Sequence, residues 1–247
     1  MIAGQDARVV FARHGESEAN LLGEFSNTGT KHPLTAAGRH QASRLAVRLS
    51  EQGGVQNILT SPLLRAEQTA RIVAERLGLP MVVDDRLREF DVGRYEGTRD
   101  QRHWDEFDDV VAAWMRDGDV DRRVGGGESH RDMRARFVPL VADAAALPGT
   151  TVLVGHGGLF LCMLPWVLAN VSADWALDHL LTPTDTVVAQ GAGDRLVCIE
   201  WAGLHVDQDS SRLNEEPDGD SQGCVRPTHR PFLRSRSERA NGDCGTE

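Results

Sequence analysis

Arg8-Val9-Val10-Phe11-Ala12-Arg13-His14-Gly15, near the start of the chain, is apolar, short and β-branched, and then stops abruptly. A run of this length with flanking turn residues reads as a buried strand that breaks at His14-Gly15. Beyond a glycine-containing loop, Pro33-Leu34-Thr35 introduces a helix with Thr35 as its N-cap. Ala42, Leu45, Ala46 and Leu49 recur along it at helical spacing, and Gly53-Gly54 ends it. A second strand, Asn57 to Thr60, breaks at Ser61-Pro62. The helix after it carries Ala66, Ala70, Val73 and Leu77 on one stripe and closes at Gly78. Met81 to Val83 is a third short strand, leading to Leu87-Arg88-Glu89.

The later chain repeats the pattern. Gly97 to Arg123 is acidic around Trp104, Phe107 and Trp114 and reads as a helical insertion over the sheet edge. Gly125-Gly126-Gly127 reads as a flexible hinge, and Ser129 as the cap of a helix whose stripe is Met133, Phe137, Leu140, Val141 and Ala144. Thr151 to Val154 is a fully apolar strand that ends at Gly155-His156-Gly157-Gly158, with a helix from about Leu159. Thr186 to Ala189 and Leu196 to Trp201 are final strands separated by a Gly-Ala-Gly turn. Strands alternating with helices imply an α/β fold: a three-layer sandwich with a mainly parallel sheet, helices on both faces and a small helical insertion.

With 247 residues, 40% apolar and 26% charged, the chain has the composition of one well-buried globular domain with room for an insertion or tail. We expect a domain over residues 1–205, with the insertion at about 97–128. Residues 206–247 are polar and poor in apolar side chains, which predicts a disordered tail. A net charge of −10 argues against a nucleic-acid partner, because phosphate backbones reward a basic surface. It does not exclude a small anion, which responds to the local field of a cleft. Cys162 and Cys198 sit in apolar runs, and Cys224 and Cys244 in the polar tail. No spacing among them suggests zinc or a disulfide framework. With no membrane-length apolar run and no signal-peptide order, the expectation is a cytoplasmic enzyme without a membrane partner. The oligomeric state is not legible.

Three polar clusters end predicted strands: Arg13-His14-Gly15, Ser61-Pro62 with Arg65, and His156-Gly157. In open α/β sheets that edge gathers ligands, and helix N-termini there favour anions. A neutral imidazole nitrogen attacks phosphorus when its other nitrogen is tied down. Arginine forks match phosphate oxygens and keep their charge through the transition state. A carboxylic acid must then protonate the leaving oxygen. Glu89 follows a strand at a suitable position, and Glu16, Asp91, Glu96 and Glu128 compete with it. Trp104, Phe107, Trp114 and Met115 read as packing residues, while Lys31, Arg94, Arg99 and Arg102 are surface charges that can tune substrate choice.

Arg13-His14-Gly15-Glu16-Ser17 with Asn20 resembles the signature of the histidine phosphatase superfamily, phosphoglycerate-mutase-like branch. The likeness continues through Pro33-Leu34-Thr35-x-x-Gly38 and Ser61-Pro62-Leu63-x-Arg65-Ala66-x-Gln68-Thr69. It extends to Leu87-x-Glu89 with Gly93 and Glu96-Gly97, to Gly127-Glu128-Ser129, and to Val154-Gly155-His156-Gly157-Gly158. These blocks keep the family's order over nearly all of residues 8–204.

The resemblance implies that His14 is phosphorylated, that Arg13, Arg65 and His156 hold the phosphate, and that Glu89 is the proton donor. Asn20 would be a supporting substrate contact. It implies metal-independent chemistry with no cofactor, and a small phosphorylated metabolite as substrate. Mutase members carry a longer Glu-Arg-His-Tyr-Gly block around the acid. This chain has Glu89-Phe90-Asp91-Val92-Gly93, which is closer to the phosphatases. A phosphomonoester hydrolase is therefore the leading expectation, with phosphoglycerate mutase as the alternative and a non-catalytic phospho-ligand binding protein behind both.

Overall fold

The computed structural model describes residues 7–29, 31–191 and 196–206. The polar tail expected from residue 206 onward lies outside the described residues except for Val206, as does most of the Gly-Ala-Gly turn. Seven strands form one sheet in the order β3-β2-β4-β1-β5-β6-β7. They are β1 (Ala7–Arg13), β2 (Val55–Thr60), β3 (Val82–Val83), β4 (Thr150–Gly155), β5 (Thr186–Gly191), β6 (Val197–Trp201) and β7 (Leu204–His205). The first four are parallel; β5, β6 and β7 add antiparallel pairings. The parallel core matches the expectation. The antiparallel flank follows from the short links between the last strands, which cannot hold a crossover helix.

The helices are α1 (Glu18–Leu22), α2 (Ala36–Gln52), α3 (Leu64–Leu77), α4 (Gln101–Ala112), α5 (His130–Ala146), α6 (Gly157–Val167) and α7 (Ala173–Asp178). Alternation along β1 sorts the core into two clusters. Val9 and Phe11 face the layer of α5 and α6, while Val10 and Ala12 face Leu45, Ala46, Ala70 and Val73 of α2 and α3. That is the three-layer arrangement.

Most sequence-level boundaries stand close to those observed. Thr35 caps α2 by accepting from the Gly38 N–H, and Gly78 ends α3 in the left-handed region at φ 67°. α6 begins two residues earlier than expected, at Gly157. The acidic segment holds α4, whose last turns widen into a π-helix over Ala113–Asp117. One expectation is corrected. Gly125-Gly126-Gly127 is no hinge but a packed turn: a Cβ on Gly127 would lie 2.0 Å from the Asp91 carbonyl oxygen, and the Arg94 N–H donates to the Gly125 carbonyl. Gly125 and Gly127 are there for close backbone approach, and Gly126, with open space around it, for its φ of 82°. Among the described residues no helix is long and apolar enough to cross a membrane.

Candidate active site

The carboxyl ends of β1, β4 and β2 meet because β4 sits between β2 and the register Arg13↔Gly155 of β1. The His14 N–H donates to the Gly155 carbonyl and the Ser61 N–H to the Val154 carbonyl, so three remote segments are pinned to one edge. The cleft above them is lined by Arg13, His14, Asn20, Arg65 and Glu89, with Gly157 and Gly158 of α6.

His14 is buried at 3% exposure. Its Nδ1 lies 2.6 Å from the Gly15 carbonyl oxygen, and its Nε2 lies 3.0 Å from Nε of Arg65. A guanidinium can only donate, so Nε2 must be the lone-pair nitrogen and Nδ1 carries the proton. Burial, then the charges of Arg65 and Arg13, hold its pKa well below the ordinary histidine value. The ring is thus neutral and in one tautomer, with the lone pair on Nε2. Thr69 steadies the turn by accepting from the Gly15 N–H while donating to the Arg65 carbonyl.

Arg65 stands in the first turn of α3 and is 5% exposed, with Nη1 donating to the Ser26 carbonyl at 2.7 Å. Burial lowers its pKa to about 10, which leaves it charged at physiological pH. Arg13 is anchored by Nη1 on the Leu181 carbonyl and lies against α6, where a Cβ on Gly157 would come within 3.1 Å of its guanidinium. His156 is fully buried. Its Nε2 is 2.7 Å from Ser61 Oγ, whose hydroxyl also accepts from the Leu63 N–H. Burial first, and then Arg65, hold His156 well below the ordinary histidine value.

Glu89 is buried beside the start of α6. One carboxyl oxygen accepts from the Gly158 N–H at 2.9 Å and the other from the Phe90 N–H at 3.2 Å. Burial raises its pKa above the usual carboxylate value, although Arg65 and those backbone bonds oppose it. When Glu89 is protonated the notch holds two guanidinium charges, a balance suited to a phosphate dianion. Three buried polar atoms here have no partner: Arg13 Nε, His156 Nδ1 and Ser26 Oγ. Native interiors leave few such atoms, so their gathering at one cleft marks a place where a ligand supplies the missing bonds.

Asn20 also lines the cleft. Its Oδ1 is engaged by the N–H and hydroxyl of Ser17, which leaves the amide hydrogens for a ligand. The competing acids are committed elsewhere. Glu16 accepts from Thr35, Asp91 from the Gly93 N–H, Glu96 from the Asn27 and Thr28 N–H groups, and Glu128 pairs with Arg136. Sequence reasoning did not find Glu24, Phe25, Ser26 or Asn27 on the cleft wall, and it treated Trp104 and Phe107 as packing alone. Nothing in their spacing marks them, since only the folded loop brings them opposite α4. Of the surface cations, Arg99 forks onto Glu24 and Arg102 pairs with Asp100. Among the described residues no group of three or more His, Cys, Asp or Glu side chains is placed to hold a metal ion.

The sequence profile described as "Histidine phosphatase superfamily (branch 1)" matches residues 9–203. A probable phosphoglycerate mutase GpmB from Enterobacter sp. is 35% identical over 166 residues, covering 65% of this chain and 74% of that protein. A mycobacterial glucosyl-3-phosphoglycerate phosphatase, solved as a complex with VO3, is 30% identical, with a TM-score of 0.69 over 80% of this chain and all of that one. A putative alpha-ribazole-5'-P phosphatase from Escherichia coli, at 22% identity and TM-score 0.66 over 82% of this chain and 100% of that one, shares the fold.

Proposed function

The chain belongs to the histidine phosphatase superfamily, and from that premise we propose that it hydrolyses phosphomonoesters of small metabolites through a phosphohistidine at His14. In the first step Nε2 of His14 attacks phosphorus as the ester P–O bond breaks, and Glu89 gives its proton to the leaving oxygen. In the second, the Glu89 carboxylate takes a proton from water, the water oxygen bonds phosphorus, and the P–N bond breaks to release phosphate. Arg13 and Arg65 neutralise charge on the transferring oxygens; as Nε2 turns to phosphorus, the Nε–H of Arg65 is freed for one of them. His156 offers Nδ1, its unpartnered nitrogen, and with Ser61 donating to Nε2 that nitrogen carries the proton for the bond. Asn20 adds amide donors at the rim. All the charge that this sequence of steps needs comes from side chains, without a metal or cofactor.

The observation that carries the reading is the fixed tautomer of His14, with Nε2 unprotonated against the buried guanidinium of Arg65 and within the field of Arg13. The test is turnover of p-nitrophenyl phosphate together with rapid quenching under conditions that spare acid-labile phosphate. A phosphorylated peptide containing His14 is expected, and His14→Ala should lose at least about 1,000-fold in kcat while keeping its melting profile. Retained activity in His14→Ala, or binding without turnover, would overturn the proposal. The relatives named as mutases give an alternative outcome: 3-phosphoglycerate supplied with its bisphosphate primer should release phosphate faster than it isomerises.

A further inference from the structure

Besides the notch residues, the cleft is lined by Glu24, Ser26 and Asn27 of one loop and by Trp104 and Phe107 of α4. Arg13 and Arg65 are the arginines among the described lining residues, and both belong to the notch; no lysine lines the cleft. Outside the notch residues the charge is that of Glu24. Its side chain is 11% exposed, and Oε2 accepts from Nε and Nη2 of Arg99 at 2.8 and 2.7 Å. Oε1 lies 2.9 Å from Nε2 of His32. These partners, Arg99 first, keep the Glu24 carboxyl below its ordinary pKa even though burial opposes them, so it remains an anion. Arg99 itself is not among the lining residues, and two of its N–H groups are already spent.

Ser26 Oγ is buried without a partner. Asn27 donates its amide to the Phe90 carbonyl, which leaves its oxygen as the atom to offer. Trp104 stacks on Phe25 with centroids 3.8 Å apart and donates its indole N–H to the Gly23 carbonyl, so what remains for a ligand is ring surface. Ser26 Oγ can donate or accept, the Asn27 oxygen accepts and Asn20 keeps amide hydrogens to donate. With the aromatic faces, these groups suit a ligand whose hydroxyls both give and take hydrogen bonds and which has a C–H surface. A carboxylate there would meet Glu24 at short range with no unspent lining cation to offset it.

We infer that the leaving group is an uncharged, hydroxyl-rich alcohol of sugar or polyol type, and that Glu24 excludes phosphorylated carboxylic acids. This rests on the phosphomonoesterase reading above and narrows it. The matched probes are sn-glycerol 1-phosphate and D-3-phosphoglycerate, which share the configuration at C2 and differ only by CH₂OH against COO⁻ at the end remote from phosphate. Each is measured with the native full chain for phosphate release and as a competitor of p-nitrophenyl phosphate. The alcohol is expected to exceed the acid by at least about tenfold in kcat/KM and in competition constant. Glu24→Gln should narrow the ratio to within about threefold, and Glu24→Arg should invert it. If the native protein takes the acid as well as the alcohol, or if Glu24→Gln leaves the ratio where it was, the inference is overturned. Hydrolysis of p-nitrophenyl phosphate by the native chain separates the two failures. With it present, a wrong ratio sinks only the selectivity; with it absent, the hydrolase reading falls and the inference falls with it.

Discussion

His14 and Glu89 are shifted in opposite directions by one environment, and the pH dependence of catalysis follows. Burial beside Arg65 and Arg13 keeps His14 neutral to well below the ordinary histidine pKa of 6.5, and burial keeps Glu89 protonated to above the ordinary 4.5. By the proposed mechanism, hydrolysis of an alkyl phosphate needs His14 unprotonated and Glu89 protonated. Its kcat/KM should therefore be highest above the depressed His14 value and below the raised Glu89 value, falling as Glu89 ionises on the alkaline side. Glu89→Gln should slow alkyl esters by about 100-fold or more and p-nitrophenyl phosphate far less, because nitrophenolate leaves without help. A rate profile for both substrates checks this, and equal losses would count against Glu89 as the acid. That Arg13, His14, Arg65 and Glu89 meet at one cleft with His156 beside His14 was legible in the sequence, because each stands at a turn beside a strand or in an ordered motif block. Glu24, Ser26 and the Ser61–His156 bond were not. Their importance lies in burial and in a missing or chosen partner, which no local spacing encodes.

Elements hold these side chains in two ways, by close backbone contact and by one long side chain behind the Glu89 loop. The start of α2 passes so close to the nucleophile's loop that a Cβ on Gly38 would lie 1.9 Å from the Glu16 carbonyl oxygen. Gly38→Ala must displace that loop, since the obstacle is backbone and cannot rotate away. We expect a loss of about 3 kcal/mol in urea unfolding and a larger fall in kcat than rise in KM. Behind Glu89, Arg136 of α5 donates to the Arg86 and Arg88 carbonyls and forks onto Glu128, which in turn accepts from the Asp91 N–H. The loop bearing the acid is thereby tied to a helix. Arg136→Met should cost about 2 kcal/mol, since the pair is mostly buried, and should lower kcat on alkyl esters; unchanged kinetics would show that the loop holds its own shape. At this scale the strand and helix succession was legible from periodicity. Strand direction after α7 was not, because short apolar strands read alike in either sense. Nor was the role of the three glycines at 125–127, since close packing and looseness call for the same residue.

Over the whole molecule, the first loss of stability below neutral pH comes from buried neutral histidines. Carboxylates with lowered pKa values, such as Glu24, Asp84 and Glu128, give way only at lower pH. His14, His156 and His130 all have pKa values lowered first by burial, so the unfolded chain binds protons that the folded chain refuses. Their contribution to stability is complete above 6.5 and is lost as pH falls from there toward the depressed folded values, at about 1.4 kcal/mol per pH unit for each histidine. Glu89 acts in the other sense: its raised pKa favours the folded state at low pH, a gain that fades as pH rises through that value. Three groups outweigh one. The melting temperature should drop between pH 7 and 5, and His130→Gln, away from the notch, should flatten the slope by up to one proton; a level profile would contradict this. The strand order has a further consequence for synthesis. β1 pairs on one side with β4 and on the other with β5, and neither exists until translation has passed residue 150. Until then the nascent chain carries the apolar strand β1 bare on both flanks, which is when chaperones would find it and aggregation would compete.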